Sequence, residues 1–181
     1  MATRTTETNI KMKIELFHTP IYKVKVDLSK IQIESGPYIK SFKSRTPSTI
    51  STENKLSSYS RKYLLEIFKQ YLPFKNMSIL NIWKNKYLSG DYQEIHIHAQ
   101  SNFSFIIYEK IKECKTVFLN PAWKQIVGYF DESYLETRKT LECSVGDMVI
   151  FPSYLEHFVD RHEEEAITIS GNIKVDVNED V

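Results

Sequence analysis

Short segments in which hydrophobic and polar residues alternate fill the chain from Met77 onward. β-Branched and aromatic residues dominate these segments, and Gly, Pro or polar clusters separate one segment from the next. Alternation with a period of two, repeated in several short segments, is typical of the strands of a β-sandwich or barrel. The predicted strands cover residues 78–87, 103–108, 116–119, 141–143, 148–151 and 167–177.

A different periodicity occupies residues 54–72, just before these strands. Hydrophobic residues recur there at intervals of three, four and one, which is the pattern of an amphipathic helix, and Pro73 ends it. The hydrophobic positions are Leu56, Tyr59, Tyr63, Leu64, Ile67, Phe68, Tyr71 and Leu72. The two patterns together predict a mainly β domain with one or more N-terminal helices packed on its outside.

The N-terminal part of the chain carries weaker signals. Residues 11–26 are predicted to form two short strands joined at Thr19-Pro20. Residues 1–10 are polar and have no periodic pattern, so we expect them to be flexible. A length of 181 residues fits one domain, and we therefore predict a single domain over residues 11–181.

Charge and cysteine content narrow the setting of the protein. The 24 basic and 23 acidic residues leave a net charge of +1, so the charge gives no indication of a nucleic-acid partner. Cys114 and Cys143 are too few for a disulfide scaffold, which favours a reducing, cytoplasmic setting. A signal-peptide pattern and a run of 18 or more apolar residues are both absent from the sequence, so we expect no membrane association.

Histidines are the first candidates for chemistry, because the chain has only five and two of them, His96 and His98, are separated by a single residue. In a strand, residues i and i+2 point to the same face, so both imidazoles can reach one point. Imidazole binds Fe, Ni, Cu and Zn, so this pair does not identify the ion. Taken alone, such a pair fits ordinary surface or core histidines equally well.

Two longer motifs surround these histidines and add a third, His157. Gly90, five residues and His96-Ile97-His98 resemble the first cupin motif, G-x5-H-x-H. The stretch from Gly146 through Pro152 to His157 resembles the second, G-x5-P-x-G-x2-H, with Tyr154 in the place of its internal glycine. The Glu that follows the first motif in cupins is absent. This resemblance implies a double-stranded β-helix, the cupin-type jelly roll, in which two strands from opposite halves share one ion.

Further segments are similar to the 2-oxoglutarate and Fe(II)-dependent oxygenase family common in tailed phages and marine bacteria. They occur in the family's order and span about residues 14–173. The segments are E-L-F-H-T-P-I-Y, I-W-K-N-K-Y-L-S-G-D-Y-Q-E-I-H-I-H, S-N-F-S-F-I-I-Y, V-F-L-N-P, G-D-M-V-I-F-P-S-Y-L-E-H and I-T-I-S-G-N. The resemblance implies Fe(II) held by His96, His98 and His157, with 2-oxoglutarate as cosubstrate and no catalytic residue beyond the metal ligands. For a phage-encoded protein, the cytoplasmic setting would be that of the host.

Two departures from the family pattern affect this interpretation. His98 stands where most such oxygenases have Asp or Glu, and Ala166 stands where the family has an Arg that pairs with the distal carboxylate of 2-oxoglutarate. We expect Arg161 or a lysine such as Lys110 or Lys115 to supply the missing cation, with a hydroxyl from Tyr108 or Ser104. The alternative is a metal-binding cupin-like protein without 2-oxoglutarate turnover, acting as a sensor, a structural protein or a degenerate oxygenase.

Other features of the sequence leave the partners open. Fold and cofactor do not determine what is oxidised, so the substrate is a protein side chain, a nucleobase, a lipid or a small molecule. Jelly rolls often pair through edge strands, so we expect a homodimer. His18 and His162 lack ligand spacing and are expected to be ordinary histidines.

Overall fold

A computed structural model describes residues 18–41, 48–129 and 136–176. The N-terminal segment that was predicted to be flexible, and the first of the two predicted N-terminal strands, lie outside these residues. The helices are α1 (Ser58–Tyr71) and α2 (Trp123–Tyr129), with one turn of 3-10 helix at Leu28–Lys30. The strands are β1 (Tyr22–Lys25), β2 (Ile33–Glu34), β3 (Tyr38–Lys40), β4 (Thr49–Ser51), β5 (Lys55–Leu56), β6 (Met77–Tyr87), β7 (Gln93–His96), β8 (Phe103–Lys110), β9 (Thr116–Leu119), β10 (Arg138–Thr140), β11 (Asp147–Pro152), β12 (His157–Val159) and β13 (Ala166–Val175).

The strands form two main antiparallel sheets. The larger has the order β1-β11-β8-β13-β6-β4-β3 and the smaller the order β10-β9-β12-β7, while β2 and β5 form a separate pair. Apart from the pairs β3–β4 and β9–β10, neighbours in both main sheets are not consecutive in the sequence, as in a jelly roll, where the chain passes repeatedly from one sheet to the other. This arrangement agrees with the predicted mainly β fold.

The larger sheet is covered on both faces, which explains why its central strands are hydrophobic at successive positions. On one face, Phe105, Ile107, Met148 and Ile150 pack in a cluster with residues of α1. On the other face, Ile106, Tyr108, Val149 and Phe151 pack against Phe118 of the smaller sheet. Side chains alternate along each strand, so each of these strands contributes to both hydrophobic clusters.

Helix α1 occupies most of the range predicted from the periodicity. Its N-cap is Ser57, whose Oγ accepts a hydrogen bond from the backbone N–H of Ser60 at 3.1 Å, and such a cap favours helix initiation. Leu72, the C-cap before Pro73, has extended backbone angles. The first predicted positions instead form β5, which pairs with β2. Leu64 and Phe68 are fully buried, and the Phe68 ring lies 5.2 Å from that of Phe105.

Most of the strand predictions match the structure to within a few residues, but the prediction for residues 141–143 is wrong. The strand of that region is β10, which ends at Thr140. Leu141 and Cys143 do pack against the cluster between the sheets, which explains their alternating pattern. The backbone then turns towards β11, where Ser144 N–H donates to the Asp147 carboxylate at 2.7 Å.

No helix in residues 18–41, 48–129 and 136–176 combines the length and hydrophobicity needed to cross a membrane.

Candidate metal centre

The smaller sheet positions two of the three candidate ligands. His96 is the last residue of β7 and His157 is the first of β12, and the two stand directly opposite each other in the antiparallel pairing. Their ring centroids are 4.3 Å apart. The pairing of two strands therefore brings together residues that are 61 positions apart in the sequence.

His98 lies just beyond the end of β7, so its position depends on other contacts. Its backbone N–H donates to the Ser153 carbonyl at 3.0 Å, and its ring is stacked on Trp83 with centroids 5.7 Å apart. The His98 and His157 rings are parallel within 6°, and their Nε2 atoms are 3.3 Å apart. One ring nitrogen from each of the three histidines lies within 4.8 Å of the others.

Backbone carbonyls fix the orientation of two of these rings. His96 Nδ1 lies 2.8 Å from the Glu94 carbonyl oxygen, and His157 Nδ1 lies 2.9 Å from that of Leu155. A carbonyl oxygen only accepts hydrogen bonds, so each neutral ring carries its proton on Nδ1 and presents an Nε2 lone pair to the shared space. Lone pairs that face one another repel, and a cation between them removes that repulsion. This donor set fits a metal ion held by imidazole.

The surroundings keep the three rings neutral. Burial lowers the pKa of His96 and, aided by the nearby His96, lowers the pKa of His157 well below its usual value. For His98, burial together with the His96 ring lowers the pKa to about 4. Neutral imidazole is the form that binds metals, so these ligands stay available at mildly acidic pH.

A buried polar network lies behind His98. The Asn172 side chain is close enough to His98 to raise its pKa slightly against the effect of burial, and its Oδ1 accepts from Ser104 Oγ at 2.9 Å. Ser104 Oγ and Ser153 Oγ are 2.8 Å apart, and Ser101 Oγ donates to Ser153. Hydrogen bonds of this kind orient a ligand ring behind the metal.

A small cavity of about 20 Å³ lies beside the histidines, which is room for about one water molecule. Tyr108 and Thr116 contribute to its wall, and Lys115 is the only lysine or arginine there among the residues that the structure describes. The full wall is formed by Trp83, Asn85, Tyr87, Gln93, His96, His98, Ile106, Tyr108, Ile111, Lys115, Thr116, His157, Val159, His162, Thr168 and Ser170.

A second cavity, of about 260 Å³, adjoins the first. Lys115 and His162 line both cavities, and Ala166 lines the second. The Lys115 Nζ atom is paired with the exposed Glu113 carboxylate at 2.6 Å. The Lys115 and His162 side chains therefore lie between the two spaces.

The four residues predicted to bind the cosubstrate lie in different places. Tyr108 is in the wall of the first cavity, and Ser104 is in the network behind His98. Lys110 forms an exposed ion pair with Glu165 at 2.7 Å, and the guanidinium of Arg161 lies 5.0 Å above the ring of Tyr92. Neither Lys110 nor Arg161 is among the residues of the cavity wall.

The structure adds residues that the sequence did not predict. His162 is buried, its ring lies 4.7 Å from that of Tyr87, and it lines the cavity. Asn172 and Thr168 come from β13, whose alternation indicates which side chains face inward but not what they contact. The spacing of His162 contained no signal, because an irregular loop brings it to the cavity.

Comparison with known proteins gives one family and many structures. A family model described as "Putative 2OG-Fe(II) oxygenase" matches residues 81–172, just over half of the chain. No functionally curated protein matches the sequence significantly.

Several solved structures have a similar fold. An oxidoreductase of the 2OG-Fe(II) oxygenase family from Burkholderia pseudomallei aligns with a TM-score of 0.51 and 10% identity over 77% of this chain and 72% of its own. HygX from Streptomyces hygroscopicus, solved with nickel, 2-oxoglutarate and hygromycin B, aligns with a TM-score of 0.53 and 8% identity over 88% of this chain and 84% of its own. A Trichoplax adhaerens prolyl hydroxylase in complex with a hypoxia inducible factor peptide aligns with a TM-score of 0.51 and 11% identity over 82% of this chain and 72% of its own. At such low identity these likenesses establish the fold, and they confirm the predicted jelly roll.

Proposed function

The chain belongs to the 2OG-Fe(II) oxygenase family, and we propose that His96, His98 and His157 hold the Fe(II) of an enzyme that hydroxylates its substrate with 2-oxoglutarate as cosubstrate. The observation that carries this proposal is the convergence of three imidazole nitrogens within 4.8 Å. Bound Fe(II) supplies the oxidation, in which 2-oxoglutarate and O2 give succinate and CO2 while a C–H bond of the substrate becomes C–OH.

The residues of this chain prepare the site for that chemistry. The carbonyls of Glu94 and Leu155 hold His96 and His157 in the ligand tautomer. Three ligands from the protein leave coordination positions open for a cosubstrate. Apolar side chains such as Ile106 and Val159 form part of the cavity wall and limit the access of water.

Charge favours a dianionic cosubstrate at this site. Three neutral imidazoles leave the two positive charges of Fe(II) uncompensated, whereas the carboxylate found in most such oxygenases would cancel one of them. 2-Oxoglutarate carries two negative charges, and Lys115 adds a positive charge in the cavity wall. His98 in place of a carboxylate therefore strengthens the attraction for an anion.

We assign the distal carboxylate of 2-oxoglutarate to Lys115. Ala166 occupies the position where the family pattern has Arg, and it packs with Tyr87 and Val159 in an apolar cluster. Lys115 lines the same cavity as Ala166, so its ammonium group can take the place of the missing guanidinium. Lysine offers a point charge without a planar fork, and the Tyr108 hydroxyl in the same wall is available as a second partner.

For the substrate and for the oligomeric state of the protein, we propose only a general class. A peptide fragment and hygromycin B are bound in two of the similar structures, and for this chain we propose a protein side chain, a nucleobase or a small molecule as substrate. Strand β3, at one edge of the larger sheet, is exposed along its length and is available for pairing in a homodimer.

A second candidate function is metal binding without turnover of 2-oxoglutarate. The buried Ala166 favours it, since alanine cannot bind a carboxylate. The cavity of about 20 Å³ favours it as well, because a five-carbon dicarboxylate enters only after side chains such as Lys115 have moved.

An anaerobic titration separates the two functions. Fe(II) is added to the metal-free protein, followed by 2-oxoglutarate, while the visible absorption spectrum and the heat of binding are recorded. We expect one Fe(II) per chain, a charge-transfer band that requires both components, and release of succinate on admission of air. Tight binding of Fe(II) without the band or any Fe(II)-dependent binding of 2-oxoglutarate would select the second function. Failure to bind Fe(II), Ni(II) or Zn(II) would exclude both.

A further inference from the structure

Cys114 and Cys143 are the only cysteines in the chain, and the fold brings them together. Strands β9 and β10 are paired with Val117 opposite Thr140. Continued for three more residues, this antiparallel register places Cys114 opposite Cys143. The Cys143 thiol is the main influence that lowers the pKa of Cys114, and both side chains pack in the hydrophobic cluster between the sheets.

Contacts on both sides of the pair hold the two backbones in place. On one side is the β9–β10 pairing. On the other, Gly146 N–H donates to the Tyr108 carbonyl at 2.8 Å, which ties the segment after Cys143 to the strand before Cys114. Because the backbone is held on both sides of the cysteine pair, Cys114 and Cys143 remain neighbours in the fold. Proximity of this kind favours an intramolecular disulfide over other thiol products.

We propose that Cys114 and Cys143 form a reversible disulfide when the protein meets hydrogen peroxide. Cys143 is partly exposed and Cys114 is buried, so the Cys143 sulfur attacks the peroxide first. The O–O bond breaks, and a sulfenic acid and one water molecule are formed. The Cys114 sulfur then attacks the Cys143 sulfur, an S–S bond replaces the S–O bond, and the leaving hydroxide takes the thiol proton as a second water. Two thiols are thus oxidised by two electrons while one peroxide is reduced to two water molecules.

The electrostatics of the pair suit Cys114 to the second step. The neighbouring Cys143 thiol, and to a smaller extent the Tyr108 hydroxyl, lowers the pKa of the Cys114 thiol. The interaction with Cys114, together with burial, raises the pKa of the Cys143 thiol. The attack on peroxide is therefore slow at neutral pH, because the accessible sulfur is mostly protonated, whereas closure of the disulfide is fast.

Formation of the disulfide would also affect the proposed metal site, because it would remove one hydrogen bond to a residue of the cavity wall. As a thiol, Cys114 Sγ donates to Tyr108 Oη at 3.3 Å, and Tyr108 lines the cavity beside the histidines. A disulfide has no S–H, so this donor to a residue of the cavity wall is lost on oxidation.

The test uses the full-length, metal-free protein, so that its outcome is independent of iron binding and of turnover. The protein is incubated with hydrogen peroxide and then unfolded, alkylated and digested without reductant for mass spectrometry. We expect an intact mass lower by two hydrogen atoms, one linked peptide pair containing both cysteines, no dimer on a non-reducing gel, and full reversal by a phosphine reductant. Two cysteines that remain free to alkylate, a sulfinic acid on Cys143 without a link, or a link between chains would each overturn the proposal.

Matched serine variants identify the order of the two steps. In Cys114→Ser, we expect a sulfenic acid on Cys143 that a dimedone probe traps, because the second thiol is missing. In Cys143→Ser, we expect the buried Cys114 to remain unmodified over the same time. Labelling of Cys114 at the rate of Cys143 would contradict the proposed order, and the peptide map of the unmodified protein is decisive even if a variant fails to fold.

Discussion

The three histidines of the candidate metal centre are held in place by different kinds of contact. His96 and His157 are oriented by backbone carbonyls, so their tautomers do not depend on any other side chain. His98 is oriented by Asn172 and by stacking on Trp83. Its orientation is therefore the one that a side-chain substitution can alter without touching a ligand.

Removal of a ligand should abolish tight metal binding without unfolding the protein. For His157→Ala we expect the affinity for Fe(II) to fall by more than about 100-fold, since even the partners of ligands contribute about 10- to 100-fold. His98→Asp, which introduces the carboxylate of most such oxygenases, should retain the ion. Anaerobic calorimetry measures both, with the exposed His18→Ala as control. Equal affinity of His157→Ala and the unmodified protein would show that the ion binds elsewhere.

The cation that binds the cosubstrate can be identified by three matched substitutions. Lys115→Met should weaken Fe(II)-dependent binding of 2-oxoglutarate by about 10- to 100-fold, because a hydrogen bond to a charged group contributes about 1.5–3 kcal/mol. Lys110→Met and Arg161→Met should have little effect, since both side chains lie outside the cavity wall. Each variant is titrated with 2-oxoglutarate after loading with Fe(II). Loss of binding in Arg161→Met, but not in Lys115→Met, would contradict the assignment.

Residue patterns predicted the ligands better than their surroundings. The spacing of His96 and His98 was readable because residues i and i+2 of a strand share one face, and His157 was indicated by the resemblance to the second cupin motif. The preference for Lys115 over Lys110 or Arg161 was not readable, since it depends on how a loop and two sheets pack. His162 was missed for the same reason.

At the level of elements, strand β13 shows how a single residue joins a helix to a sheet. A Cβ atom on Gly171 would overlap the ring of Phe105 and lie 2.8 Å from the Asn81 carbonyl oxygen. The absence of a side chain there lets the Phe105 ring lie against β13 and reach Phe68 of α1. The packing of α1 on the larger sheet therefore depends on this glycine.

Two alanine substitutions of glycine should have different effects on stability. Gly171→Ala forces Phe105 or the backbone of β6 to move, and we expect it to lower the free energy of unfolding by about 1–3 kcal/mol. Gly128→Ala lies in α2 with no atom within 4 Å of the added Cβ, and alanine favours a helix by up to about 1 kcal/mol over glycine. Urea denaturation of the two variants and the unmodified protein measures both effects. An unchanged midpoint for Gly171→Ala would show that the sheet adjusts at no cost.

Elements were predictable from sequence where one periodicity extends over many residues, as in α1, β6 and β8. The prediction for residues 141–143 was wrong because two inward side chains imitate a strand over three residues, although β10 ends at Thr140. Helix α2 was not predicted, because its short sequence offered no clear stripe.

For the whole molecule, the buried histidines link stability to pH. Burial lowers the pKa of His96, His98, His157 and His162 in the metal-free fold, whereas an unfolded chain has histidines near pKa 6.5. Below pH 6.5 the unfolded chain therefore binds protons that the fold does not bind. Stability is largest above that pH and decreases as the pH falls towards 4.

We expect the free energy of unfolding of the metal-free protein to fall by on the order of 2 kcal/mol between pH 7 and pH 5.5. The carboxylates with lowered pKa contribute little in this window, because they titrate at lower pH. Urea denaturation at the two pH values measures the change, and the variant His157→Asn should lose less. A stability that is constant across the window would contradict the assignment of buried, neutral imidazoles.

The direct pairing of His96 with His157 across two neighbouring strands has a consequence for how the protein acquires its ion. The strand pairing itself brings two of the three donor atoms together, so much of the metal site is already formed in the apoprotein. The folded apoprotein can therefore take up whichever suitable ion is most available in the cell. The metal found after purification would reflect the ions present in the expression host, and reconstitution with a chosen ion should need no refolding step.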